Sequence, residues 1–189
     1  MLIIGITGSF GTGKTTVCQM FRKLGAEVID ADKIAHNILE KSDIKDKLAK
    51  IFNLSPNQSP RQFRFQIAKI IFRNKEGRKK VERIIHPLII TEIKKELSLS
   101  KKEITIIDAP LLLETELCEI VHKIIVVTAS LEKQISRGQK KGFLKEEILE
   151  RINCQIPLSQ KLEQADFIIN NDGIKETKRQ VKQIWEVLV

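Results

Sequence analysis

The sequence predicts an α/β fold, a parallel five-stranded sheet flanked by helices. Three observations carry that expectation. Short apolar runs rich in β-branched residues recur at five places along the chain. Each is too short and too unbroken for an amphipathic helix, and suits a strand buried on both faces. Segments of helical periodicity separate the runs, and strands alternating with helices imply parallel neighbours covered on both sides.

The first run, Leu2-Ile3-Ile4-Gly5-Ile6, opens the chain and ends near a glycine. A helix follows, with Val17, Met20, Phe21 and Leu24 at i, i+3, i+4 and i+7, and Gly25 placed to stop it. Glu27-Val28-Ile29-Asp30 reads as the second strand. From 33 to 100 the pattern is helical, broken by the turn cluster Ser55-Pro56-Asn57-Gln58-Ser59-Pro60. This block is most simply an insertion after the second strand. Strands resume at Ile104-Thr105-Ile106-Ile107, Ile124-Ile125-Val126-Val127 and Phe167-Ile168-Ile169. The closing helix carries Val181, Ile184, Trp185 and Leu188 on one face.

Composition narrows the function classes. With 189 residues, 42% hydrophobic, 30% charged and a mean hydropathy of −0.14, the chain is too apolar to be disordered. No run approaches the roughly 18 apolar residues of a membrane helix. The amino terminus lacks the basic-then-apolar layout of a signal peptide. Cys18, Cys118 and Cys154 are odd in number and far apart, which argues against a disulfide framework or a zinc cage. A cytoplasmic setting is expected. The net charge of +9 is localised: residues 61–102 hold 13 Lys or Arg against 4 Asp or Glu, an excess equal to that of the whole chain. Such a segment is either a solvated lysine-rich face or a surface for an anionic partner.

The chemistry sits directly after the first strand. Gly8-Ser9-Phe10-Gly11-Thr12-Gly13-Lys14-Thr15 fits G-x-x-x-x-G-K-[ST], the Walker A phosphate loop, in its strand–loop–helix setting. The glycines let successive backbone N–H groups point into one concavity, and the helix adds its positive end. Lys14 is placed to reach the β- and γ-phosphates of a nucleotide, and the Thr15 hydroxyl to bind Mg²⁺. Gly8, Gly11, Thr12, Gly13, Lys14, Thr15 and Thr16 are thus the candidate nucleotide-binding residues of a P-loop fold. The motifs argue against a switch GTPase: D-x-x-G is missing, and Asn74-Lys75-Glu76-Gly77 lacks the aspartate of N-K-x-D. Asp108 ends its strand where a second metal-orienting carboxylate belongs, or it caps the next turn. Asp30 and Asp32 follow the second strand, at the sheet edge where open α/β folds bind ligands. Either could accept a proton from an attacking hydroxyl or cap the next helix.

Taken in order, further segments join the phosphate loop: Val28-Ile29-Asp30-Ala31-Asp32, Ile85-His86-Pro87-Leu88-Ile89 and Asp108-Ala109-Pro110-Leu111-Leu112-Leu113-Glu114. Gln134-Ile135-Ser136-Arg137, Arg151-Ile152 with Gln155, and the stretch from Ala165 to Gly173 complete the series. This ordered set resembles the dephospho-CoA kinase family over nearly the whole chain. The resemblance implies transfer of the ATP γ-phosphate to the ribose 3′-hydroxyl of dephospho-CoA. It also implies a P-loop core at 1–32 and 101–189 with a small lid at about 133–150, and a helical CoA-binding insertion at 33–100. By resemblance, Asp32 is the base, and Arg137 is a lid cation beside the transferring phosphoryl group. Thr15 and Asp108 hold the metal, while Asn171 and Gly173 lie beside adenine. Arg64, His86, Pro87 and Leu111 join Asp32 at the substrate. Two departures stand out. Lys141 occupies the place of a second lid arginine, and Gln62-Phe63-Arg64 lacks the aspartate usual there.

The expected partners are ATP, Mg²⁺ and dephospho-CoA, with no nucleic acid and no membrane, and a monomer or weak homo-oligomer. Two rivals stay open on the residues themselves. One is another nucleoside or nucleotide kinase of the same fold. The other is an ATP-regulated nucleic-acid-binding protein using the 61–102 segment.

Overall fold

The computed structural model describes residues 1–55 and 57–189. Pro56, in the expected turn cluster, lies outside the described residues. The chain divides into two compact units, Met1–Asp30 with Leu97–Val189, and Ala31–Glu96.

The first unit holds the sheet. Its strands are β1 (Leu2–Thr7), β2 (Glu27–Asp30), β3 (Ile104–Asp108), β4 (Lys123–Thr128) and β5 (Phe167–Asn170). They run parallel in the order β2-β3-β1-β4-β5. Every residue of β3 is buried, as a strand covered on both faces requires. On one face, Ile4 and Ile6 of β1 pack with Ile106, Ile125, Val127 and Ile169. Covering them are Val17 and Phe21 of α1 (Lys14–Leu24) and Val181 and Ile184 of the closing helix, α9 below. Gly5 points to the other face, where a Cβ would lie 2.3 Å from Leu112 Cδ2. Its lack of a side chain lets the 3₁₀ turn Leu112–Glu114 fold back onto the sheet.

The sheet's register gathers polar ends at its carboxyl edge. Asp30 pairs with Asp108, and Ile6, one residue before the end of β1, also pairs with Asp108. Both aspartates therefore close their strands side by side.

The second unit is helical: α2 (Ala31–Glu40), α3 (Ser42–Phe52), α4 (Pro60–Arg73) and most of α5 (Lys75–Leu99). Ile34, Ile38, Leu48, Phe63, Ile67, Val81 and Ile93 are among its buried apolar residues. Ser59 caps α4 with a capping box: its hydroxyl accepts from the Gln62 N–H, and the Gln62 side chain reaches back to Ser59 N–H. Asn74, which ends α4, also starts α5, its Oδ1 accepting from Gly77 N–H at 2.9 Å. The Asn74-Lys75-Glu76-Gly77 run is thus a helix junction. Pro87 lies inside α5, where it removes one backbone donor without ending the helix.

After β4 the first unit continues with α6 (Leu131–Lys140), α7 (Lys145–Asn153), α8 (Leu158–Glu163) and, after β5, α9 (Ile174–Leu188). Among the described residues, no helix is long and apolar enough to cross a membrane.

Candidate active site

Residues 8–13 join β1 to α1, with Lys14 and Thr15 opening the helix, and the loop is held in shape from outside. Gly11 and Gly13 have φ of 78° and 87°, in the left-handed region that favours glycine. Neighbours are close at both. A Cβ on Gly11 would lie 2.7 Å from the Gln134 carbonyl oxygen, and one on Gly13 2.2 Å from Asn171 Nδ2. Within the loop, the Thr12 hydroxyl donates to Ser9 O at 2.9 Å. Lys14 folds back so that Nζ donates to Gly8 O at 3.0 Å and Ser9 O at 3.4 Å. Thr15 and Thr16 are exposed in the first turn of α1.

Arg137 and Asn171 fasten the loop. The Arg137 guanidinium donates to Gly11 O at 3.2 Å, Thr12 O at 3.0 Å and Asn171 O at 2.5 Å. Asn171, 3% exposed, donates from Nδ2 to Thr12 O at 2.8 Å and accepts from the Thr177 hydroxyl at 2.9 Å. Arg137 thus bonds to three backbone carbonyls at and beside the loop, and the Asn171 amide is engaged at both ends. Gly173 is exposed, and a Cβ there would meet nothing within 4 Å.

Phe10, within the loop, makes an aromatic contact of its own. Phe10 meets Phe143 edge-on with centroids 5.5 Å apart, and the Arg151 guanidinium lies over both rings, at 5.4 and 4.4 Å. Burial lowers the pKa of Arg151, against a pull upward from Glu147 and Glu150.

Asp108, 7% exposed, stands at the foot of the loop. The thiol of Cys18, on α1, hydrogen-bonds to its side chain. Burial pushes the Cys18 pKa well up; Asp108 pushes it further by charge and hydrogen bond, Lys14 pulls it down, and Asp30 adds a smaller rise. Asp30, Asp108 and Lys14 therefore act electrostatically on one buried thiol. Residues fit for Mg²⁺ are present: Thr15 and Asp108 offer hard oxygens. Among the described residues, no group of three or more His, Cys, Asp or Glu could hold a metal by itself. A donor set of that size suits Mg²⁺, which takes one or two carboxylates and fills its shell with phosphate oxygens and water.

Leu111, half-buried, follows Asp108 in the same unit. The other predicted substrate residues belong to the helical unit: Asp32 in the first turn of α2, Arg64 on α4, His86 and Pro87 on α5. Arg64 pairs with Glu40 there. His86 is half-buried and Pro87 exposed.

Residues 2–176 match the model of the family described as Dephospho-CoA kinase. The chain belongs to that family. It is 38% identical over 189 residues to the dephospho-CoA kinase of Aquifex aeolicus, covering 98% of this chain and 96% of that one. To the Bacillus cereus enzyme it is 36% identical over 197 residues, covering 99% and 98%. A crystal structure of TT1252 from Thermus thermophilus superposes with a TM-score of 0.85 at 29% identity, over 100% of this chain and 98% of the other. The dephospho-CoA kinase from Campylobacter jejuni gives 0.62 at 29%, over 98% and 96%. The chain is therefore an enzyme of the last step of coenzyme A biosynthesis on a P-loop kinase fold.

Sequence reasoning missed Cys18 beneath Asp108 and the Phe10–Phe143–Arg151 stack. It also missed Lys161 on α8, which is 0% exposed. Cys18 lies four residues beyond Lys14, one helical turn along the same face, and that spacing could have found it.

Proposed function

We propose that the chain moves the ATP γ-phosphate to the ribose 3′-hydroxyl of dephospho-CoA through the residues assembled at the sheet's carboxyl edge. The observation that supports this most is the externally fastened phosphate loop with Asp108 at its foot. Lys14 and the loop N–H groups would hold the β- and γ-phosphates. Thr15 and Asp108 would hold Mg²⁺, which when bound neutralises charge on the phosphate oxygens. Asp32, two residues beyond the end of β2, would orient the 3′-hydroxyl and take its proton. The attacking oxygen then bonds to the γ-phosphorus as the bond to the β-phosphate oxygen breaks and ADP leaves. Little covalent help is needed, so positioning and charge stabilisation would dominate.

Arg137 and Asn171 would serve this chemistry by keeping the loop's donors aimed. Arg64, His86, Pro87 and Leu111 would line the path of the CoA moiety, and the excess cations of 61–102 would draw in its phosphates. No cysteine among the described residues is in a disulfide, which suits a reducing compartment such as the cytoplasm.

The loop-fastening role gives one expected result. Arg137→Ala removes a cation that donates to three carbonyls, each bond to a charged group being worth about 1.5–3 kcal/mol. It should lower the melting temperature, raise the KM for ATP and reduce kcat together. Lys141 is exposed just past α6, so Lys141→Ala should stay within about ±0.5 kcal/mol in stability. Steady-state kinetics and thermal melts of both variants check this. Equal losses would mean that the fastening contacts matter little.

The reading itself is tested by incubating the protein with ATP, Mg²⁺ and a panel of acceptors: dephospho-CoA, AMP, CMP and shikimate. Products are read by mass spectrometry. Coenzyme A bearing its new phosphate on the 3′-oxygen is expected as the dominant product. A nucleoside monophosphate phosphorylated faster would overturn the choice of substrate.

A further inference from the structure

Lys161 is a buried cation that the proposed chemistry leaves without a task. Its ammonium donates to the Pro110 carbonyl at 2.8 Å and to Gln155 Oε1 at 3.4 Å, and lies 3.9 Å from Glu114 Oε1. The same Pro110 carbonyl accepts from the Thr7 hydroxyl at 3.0 Å, at the end of β1 and one residue before the phosphate loop. Next to it, Ala109 N–H donates to Ile6 O at 3.0 Å. Glu114 in turn accepts from Ile156 N–H at 3.1 Å. The peptide that follows Asp108 is thus held from two sides, by β1 and by the segment 155–161 that comes after α7.

An ammonium is an expensive way to fill space. Packing alone would be met at lower cost by an apolar chain of the same length, since burying a charge is unfavourable unless it is paired and hydrogen-bonded. Here burial pushes the Lys161 pKa down to about 8, Glu114 pulls it up, and Lys14 pushes it further down. The last effect places Lys161 within electrostatic reach of the phosphate-loop lysine.

We infer that Lys161 is a positioning residue for phosphoryl transfer: its ammonium fixes the Pro110 carbonyl, and through that peptide sets Asp108 against the phosphate loop. The inference rests on the kinase reading above. It assigns Lys161 no contact with either substrate, so its loss should disturb the reacting geometry more than binding.

The experiment compares wild type, Lys161→Met, and Lys161→Met combined with Glu114→Gln. The double variant keeps an acceptor for Ile156 N–H while removing the carboxylate that the single change would strand. Each is assayed with ATP, Mg²⁺ and dephospho-CoA, and its folded fraction is measured by thermal melting. A displacement on the order of 1 Å near reacting groups costs about 10²-fold, so kcat should fall by about that factor. Both KM values should stay within about threefold, because ground-state contacts are untouched. A folded variant with wild-type kcat overturns the inference, as does a fall in kcat that only tracks the folded fraction. Wild-type turnover separates the two readings: an active wild type with unaffected variants overturns the role of Lys161 alone, whereas an inactive wild type overturns both.

Discussion

Lys14→Ala should reduce turnover by at least about 10²–10³-fold while leaving a folded protein, the range typical for removing one donor that stabilises transition-state charge. The structure says why the two effects separate. Lys14 is half-buried at the start of α1, and its Nζ rests on Gly8 O and Ser9 O. Those are neutral carbonyls of the loop itself, and each such hydrogen bond contributes about 1 kcal/mol. Their loss should not unfold the protein, because the loop's shape is also held by Arg137, Asn171 and the Thr12 hydroxyl. In the proposed chemistry the ammonium would exchange carbonyl partners for phosphate oxygens, where its charge would count most as the γ-phosphoryl group moves. Kinetics and a thermal melt of the variant decide the matter. Near-normal kcat in a folded Lys14→Ala protein would remove the phosphate-loop assignment, and the proposed chemistry with it.

Much of this arrangement is legible in the sequence, for identifiable reasons. The strands are marked by β-branched runs because they are buried on both faces, so neither side needs polar residues to alternate with apolar ones. The structure extends several of them by a residue at the carboxyl end, to Thr7, Asp108, Thr128 and Asn170, where backbone pairing continues after the apolar signal has ended. The helical block hides its breaks at Lys41 and Asn74, since neither carries a Gly or Pro and Asn74 works through a side-chain cap. Phosphate-loop residues are legible because their backbone geometry demands particular side chains at fixed spacing.

What the sequence conceals is which polar groups the fold buries. Lysine is almost never fully buried, so nothing about Leu158–Glu163 singles out Lys161. Its task depends on Pro110, 51 positions away in the chain. Arg137 is visible as a cation near the lid, but its direction is set by carbonyls at Gly11 and Thr12, 126 and 125 positions away. The pairing of Asp30 with Asp108 is likewise a matter of sheet order and register, which follow from the fold and not from either segment alone.

That pairing bears on the largest remaining expectation, which concerns the base. Asp30 closes β2 beside Asp108, and two residues later Asp32 stands in the first turn of α2, where a carboxylate also favours the helix dipole. Asp32→Asn keeps the shape and the hydrogen-bonding reach of the side chain and removes its ability to take a proton. If Asp32 is the base, kcat should fall by about 10²–10⁴-fold, the usual worth of a positioned general base, with dephospho-CoA binding preserved. Asp30→Asn supplies the internal comparison. It changes the carboxylate next to Asp108 without touching the proposed base, so its effect on kcat should be smaller. Binding is measured separately, by calorimetry with dephospho-CoA and no ATP, so that a lost proton acceptor is distinguished from a lost contact. A fully active Asp32→Asn would leave the enzyme in place but move its base elsewhere, with Asp30 the next residue to replace. Weakened binding at unchanged kcat would make Asp32 a substrate contact and nothing more.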